Sequence, residues 1–273
     1  MNERGLPLDL LLAARHEQGR KTLVPFLTAG YPDEQTFSAL LGEAAAAGCP
    51  LVEIGIPFSD PVADGPVIQE ASRQALAAGV TLKGVLAMAA AARRDHGLNV
   101  ILMGYLNPIL RFGGERFAAA CGEAGVVGVI VPDLPREEAA DLDAALAACG
   151  VALIDLVAPT TDADRLEVFG RESVGFLYLV SSTGVTGKRS GGDLAGYLHR
   201  VRAACPQPLF VGFGIDSPDV AREVCRHADG VIIGSALLRI ISEAPDGQAV
   251  SRAGAFLRAV NAVMSPATRG ERP

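Results

Sequence analysis

The chain has 273 residues, 49% of them hydrophobic and 20% charged, with a formal net charge of −7. That acidic balance, with no basic run longer than Lys188-Arg189, argues against a phosphate-backbone partner such as DNA or RNA, while small anions can still bind at local sites. Glycine and proline are spread along the chain instead of gathered into a linker, so residues 1–273 are expected to form one domain with a sizeable core.

In chain order, a helical segment over Leu8–Gln18 comes first. Its apolar run Leu10–Ala14 follows Asp9 and is too short for a signal core. Apolar runs rich in β-branched residues then appear at Thr22–Ala29, Leu51–Pro57, Val100–Asn107, Gly128–Asp133, Val151–Pro159, Gly175–Ser182, Pro208–Ile215 and Gly230–Leu237. Alanine-rich segments of helical period separate them, among them Glu34–Ala47, Thr81–Arg94, Arg116–Ala124, Arg136–Cys149, Gly192–Ala204 and Pro218–His227, with a last one near Gln248–Val263.

Apolar strands separated by crossover helices pair in parallel with both faces covered. Regular alternation over the full length points to an α/β protein of the (β/α)8 TIM barrel class, with the extra N-terminal helix closing the barrel bottom. A doubly wound sheet is the alternative that periodicity does not exclude.

No run approaches the ~18 apolar residues of a membrane span. The five cysteines, Cys49, Cys121, Cys149, Cys205 and Cys225, show neither a C-x-x-C pair nor a histidine in metal-ligand spacing. The expectation is a soluble, cytoplasmic protein with reduced cysteines and no metal. The four histidines, His16, His96, His199 and His227, stand in polar or helical contexts and read as surface residues.

In a barrel, catalytic groups cluster at strand C-termini and in the loops that follow. The second strand and its turn read "LVEIGIPFSDPVADGPVIQ", and alternation puts Leu51, Glu53 and Gly55 on one face. Gly55 is expected to leave empty space above the Glu53 carboxylate. Burial raises a carboxyl pKa, so Glu53 is suited to giving and taking a proton near neutral pH; the plainer reading is an acid tied to a backbone amide or an arginine. Pro57, Pro61 and Pro66 restrict the turn holding Asp60 and Asp64, and Asp64, just before Gly65-Pro66, also reads as a helix cap.

Tyr178 shares a strand face with Phe176 and Val180, as core or as active-site wall. The loop after it, "TGVTGKRSGG", suits a lid over a phosphate or a plain solvated connection. "FVGFGI" and "VIIGSALL" place small residues after the seventh and eighth strands, where barrel enzymes often hold phosphate on backbone N–H groups.

Taken with "LMGYLNPIL", "VPDLP", "APTT" and "YLVSSTGVTG", these stretches resemble the tryptophan synthase α-subunit family over nearly the whole chain. The resemblance implies a lyase that cleaves indole-3-glycerol phosphate to indole and glyceraldehyde 3-phosphate by retro-aldol chemistry, with no cofactor in this chain. It implies a β-subunit partner carrying pyridoxal phosphate, in an α-β-β-α assembly serving tryptophan biosynthesis.

By the same resemblance Glu53 is the acid/base and Asp64 the carboxylate that accepts the indole N–H. Phe26, Tyr105 and Tyr178 line the indole pocket, while Gly187, Gly214, Gly234 and Ser235 bind phosphate. Asp60 couples the turn to the lid and faces the partner, across a docking surface built on prolines Pro57 and Pro61 that are expected to be exposed, with Phe58 between them. Ser182, Lys188 and Arg189 fall where family members vary, and Asp155 is read as a structural acid. A stand-alone lyase releasing free indole and a barrel that only binds a phosphorylated ligand are the other hypotheses; retention of Glu53 and Asp64 argues against the last.

Overall fold

A computed structural model describes residues 5–180 and 194–264. Nine parallel strands form one sheet: β1 (Thr22–Thr28), β2 (Leu51–Gly55), β3 (Asn99–Met103), β4 (Val126–Ile130), β5 (Ala152–Leu153), β6 (Leu156–Val157), β7 (Leu177–Leu179), β8 (Leu209–Val211) and β9 (Gly230–Ile233). Their order is β5-β4-β3-β2-β1-β9-β8-β7-β6, so the sheet's two ends are β5 and β6, which follow one another in the chain. Ile154 N–H bonds the Val129 carbonyl on one side and Tyr178 N–H bonds the Asp155 carbonyl on the other. The expected fifth strand, Val151–Pro159, is therefore broken in two, and the chain itself joins the sheet into a TIM-barrel-like ring. An open doubly wound sheet does not fit this topology.

Strand β1 shows how tightly the ring is specified. All seven residues are buried, and the strand engages β9 through Thr22–Pro25 and β2 through Phe26–Thr28. Pro25, which lacks an N–H, sits where the strand changes partners. Inside the ring Phe176 stacks on Phe210 at 4.3 Å, and Gly230 leaves room for the Phe210 ring. The N-terminal helix, Pro7–Glu17, closes the bottom as expected: Leu8 is fully buried against Gly128 and Gly175, and the Asp9 carboxylate accepts from Gly175 N–H at 2.7 Å.

The outer helices begin where side chains satisfy their first N–H groups. Asp33 caps Glu34–Ala46, Thr81 caps Leu82–His96 and Asp162 caps Ala163–Glu172. Several expected strands are shorter than the apolar runs, and two of those runs end in helix. The third ends at Met103 and gives way to a helix over Leu106–Phe112, and the eighth ends at Ile233 before a helix over Ser235–Ser242. Apolar content alone does not separate a buried strand from the first turn of a buried helix.

Candidate active site

Glu53 and Phe26 are register partners on β2 and β1. Glu53 is fully buried, and neither carboxyl oxygen has a hydrogen-bond partner. Burial, reinforced by the charge of Asp64, pushes its pKa up to about 8. The group is thus neutral near pH 7 and tied to neither an amide nor an arginine. Expectation and structure differ at Gly55, where the space is not empty. The Phe26 ring lies against that glycine, at 2.6 Å from where a Cβ would stand, because the missing side chain invites the nearest large neighbour.

The loop after β2 carries the second acid. Gly65 is the N-cap of helix Pro66–Ala77, so Asp64 does not cap it; its carboxylate instead accepts from the Tyr105 hydroxyl. Burial raises Asp64 to about 6, and the Tyr105 bond opposes that rise. Tyr105 fixes the loop at two further points: its hydroxyl accepts from Ala63 N–H at 3.0 Å, and its ring stacks on Phe58 at 5.2 Å. Tyr105 is itself held from behind, since Asp133 in the β4 loop accepts from Leu106 N–H at 2.9 Å and caps the helix that Tyr105 precedes.

Opposite these groups, Tyr178 packs over Gly212 and meets Phe213 edge-on at 6.4 Å. Burial, then the charges of Glu53 and Asp64, hold its phenol neutral far above the ordinary range. Gly214 takes a positive φ of 74° just past β8, and Gly234 precedes the Ser235–Ser242 helix, whose first N–H groups face the same end of the barrel. Phe26 reaches this corner too, 3.5 Å from where a Gly234 Cβ would stand. One ring therefore spans the gap between the Glu53 strand and the Gly234 turn. Phe26, Gly55, Asp64, Met103 and Tyr105 line a cavity of ≈ 10 Å³, about the room one water needs.

Asp60 is exposed, its carboxylate accepting from the Ser59 hydroxyl. The docking surface expected on exposed prolines is corrected in part: Pro57 is buried and Pro61 half-buried, whereas Val62 stands 82% exposed. Gly187, the lid Thr183–Gly192, Ser182, Lys188 and Arg189 lie outside the described residues. Asp155 is away from the site, bonded by the Ser173 hydroxyl at 2.6 Å and by Arg136 at 3.4 Å. Among the described residues no cluster of three His, Cys, Asp or Glu is placed to hold a metal, and no single helix is long and apolar enough to cross a membrane.

Phe213, Asp133 and Thr28 escaped the sequence reading, and Phe58 was read only as part of a docking surface. Phe213 and Asp133 sit in loops past strand ends, and Thr28 ends β1 on the face of Phe26, so the strand-end filter extended to every strand would have found them.

The family model described as tryptophan synthase alpha chain matches residues 12–264. The chain belongs to the tryptophan synthase alpha chain family. It is 46% identical over 250 residues to the alpha chain of Citrifermentans bemidjiense, covering 91% of this chain and 94% of that one. To the Acidiphilium cryptum alpha chain it is 47% identical over 266 residues, covering 95% and 96%. Among solved structures it is similar to the alpha subunit of Legionella pneumophila, with a TM-score of 0.87, 37% identity and coverage of 95% and 98%. It is also similar to tryptophan synthase of Mycobacterium tuberculosis, with a TM-score of 0.88, 34% identity and coverage of 96% and 99%. The activity of this alpha chain is that of an indole-3-glycerol phosphate lyase in tryptophan biosynthesis.

Proposed function

We propose that Glu53 and Asp64 divide the retro-aldol chemistry between a movable proton and a fixed negative charge. Protonated Glu53 gives its proton to indole C3, and Asp64, accepting the indole N–H, stabilises the cation that forms. The Glu53 carboxylate then takes the proton of the glycerol hydroxyl on the carbon bonded to C3. The C3–C bond breaks, its electron pair returns to the ring, and indole and glyceraldehyde 3-phosphate result, with the glutamic acid regenerated. The observation that carries this reading is the unequal rise of the two acids, Glu53 to about 8 and Asp64 only to about 6, so that at pH 7 one is an acid and the other a base.

Phe26, Tyr105 and Tyr178 are proposed as walls of the indole pocket, and Gly214, Gly234 and Ser235, with Gly187 outside the described residues, as the phosphate donors. A positive φ at Gly214 and a helix N-terminus after Gly234 supply amides suited to an anion in a net-acidic protein. We read residues 1–273 as one barrel domain, needing no cofactor of its own. All five cysteines are free and four are buried, which fits the reducing cytoplasm.

A tryptophan synthase β subunit carrying pyridoxal phosphate is the proposed partner, in an α-β-β-α assembly. Exposed Val62, with Leu110 at 63% exposure on the Leu106–Phe112 helix, flanks the Phe58–Tyr105 stack and suits such docking, with Asp60 coupling it to the lid. The division of labour is tested by Asp64→Asn, which should lower kcat by about 10²-fold or more with KM within a few-fold of wild type. A large rise in KM at undiminished kcat would make Asp64 a positioning residue.

A further inference from the structure

Four described side chains contain buried polar atoms without a hydrogen-bond partner: Asp9, Thr28, Glu53 and Gln207. Two of these are bonded through their other polar atom, Asp9 to Gly175 N–H and Gln207 to three backbone carbonyls. Glu53 and Thr28 are left with no side-chain hydrogen bond at all, on neighbouring strands at the barrel mouth. Glu53 is explained by its role in the reaction. Thr28 has no such explanation, although the residue is 1% exposed and burying an unbonded hydroxyl is destabilising. Valine would fill the same volume without that cost.

Position supplies a reason. Phe26 faces the site, and alternation puts Thr28, two residues on, on the same face, one layer nearer the mouth than Glu53 and level with Gly55. The strand order at this point is β2-β1-β9. Glu53 stands on β2, and the Gly234-Ser235 turn follows β9, so the end of β1 lies between the acid and the phosphate donors. A substrate with its reacting carbon at Glu53 and its phosphate at Gly234 must lay the chain connecting them across that end. In indole-3-glycerol phosphate this connecting chain carries two hydroxyls.

We propose that Thr28 is a substrate-binding residue whose Oγ1 exchanges a hydrogen bond with a hydroxyl of the glycerol chain. The inference rests on the assignment of Glu53 and the Gly234 turn made above. The hydroxyl has no protein partner in the free chain, so a diol that arrives with one is favoured over a chain without hydroxyls.

The test titrates wild type, Thr28→Val, Thr28→Ala and Thr28→Ser with glycerol 3-phosphate, which has the hydroxyls, and with inorganic phosphate, which lacks them. Thr28→Val should melt at the wild-type temperature or above, bind inorganic phosphate as wild type does, and bind glycerol 3-phosphate about three- to tenfold more weakly. Thr28→Ala, the second hydroxyl-free variant, should show the same contrast between ligands, and Thr28→Ser should restore affinity. Equal weakening of both ligands, unchanged affinity for both, or a serine variant that behaves like valine would overturn the proposal. Gly234→Val, measured beside them, separates this from the phosphate assignment: unchanged phosphate affinity there would refute that assignment, while the contrast between ligands at Thr28 still decides the role of its hydroxyl.

Discussion

Burial, reinforced by the charge of Asp64, raises the pKa of Glu53 above that of Asp64. The two carboxyls therefore titrate in order. Asp64 loses its proton near pH 6, while Glu53 is still neutral and exerts no charge; Glu53 then titrates near pH 8 against a carboxylate already formed. The two carboxyls are thus set apart by burial and by one tyrosine.

The first consequence is a stability profile. Folded Glu53 has its pKa at about 8 against an ordinary 4.5, so between those values the folded state binds more protons than the unfolded state, and stability falls as pH rises. The loss should amount to a few kcal/mol at most and be complete above pH 8. Urea unfolding at pH 5 and pH 8 should show wild type losing more stability across this interval than Glu53→Gln, which has no proton to release there. Parallel losses in the two proteins would mean that Glu53 is ionised in the fold at neutral pH.

Tyr105 gives a second, independent handle. Its hydroxyl bond holds Asp64 below the value burial alone would give, so Tyr105→Phe should raise the Asp64 pKa and move the acid limb of kcat/KM to higher pH. The loop also loses its anchor at Ala63, so kcat at pH 7 should drop about tenfold or more. A pH profile superimposable on wild type would show that the Tyr105 bond does not tune Asp64.

How much of this could be read from the chain depends on the residue. The burial of Glu53 without a partner was legible because an acid inside an apolar strand is a local contradiction. Asp64 was not, because an aspartate before Gly-Pro looks like a cap; its bond to Tyr105 spans 41 positions that only the fold brings together. Gly55 was misjudged for a related reason: a glycine announces a missing side chain, and which ring fills the space depends on the neighbouring strand. Pro57 was taken for surface on residue type, yet it follows a fully buried strand and is itself buried. The alternation of strands and helices carried the barrel, while the break at Ile154-Asp155, which lets one strand serve two neighbours, left no mark on the apolar pattern.

The partner is testable through Asp60, which is exposed where Glu53 is fully buried. Asp60→Ala should retain most of the weak activity of the isolated chain and lose most of its stimulation by a tryptophan synthase β subunit, because a contact that orders the turn acts by shifting populations. A rate titration against that subunit, following indole directly, measures both quantities. Full activity of the wild-type chain without any partner would place it with stand-alone lyases.

Whether the proton on Glu53 does the chemistry is decided by indole formation from indole-3-glycerol phosphate, under saturating conditions, by purified Glu53→Gln. Glutamine keeps the shape and removes the titrating proton, so the variant should fold, bind glycerol 3-phosphate normally and turn over at least about 10²-fold more slowly than wild type. Turnover within a few-fold of wild type would rule Glu53 out as the acid.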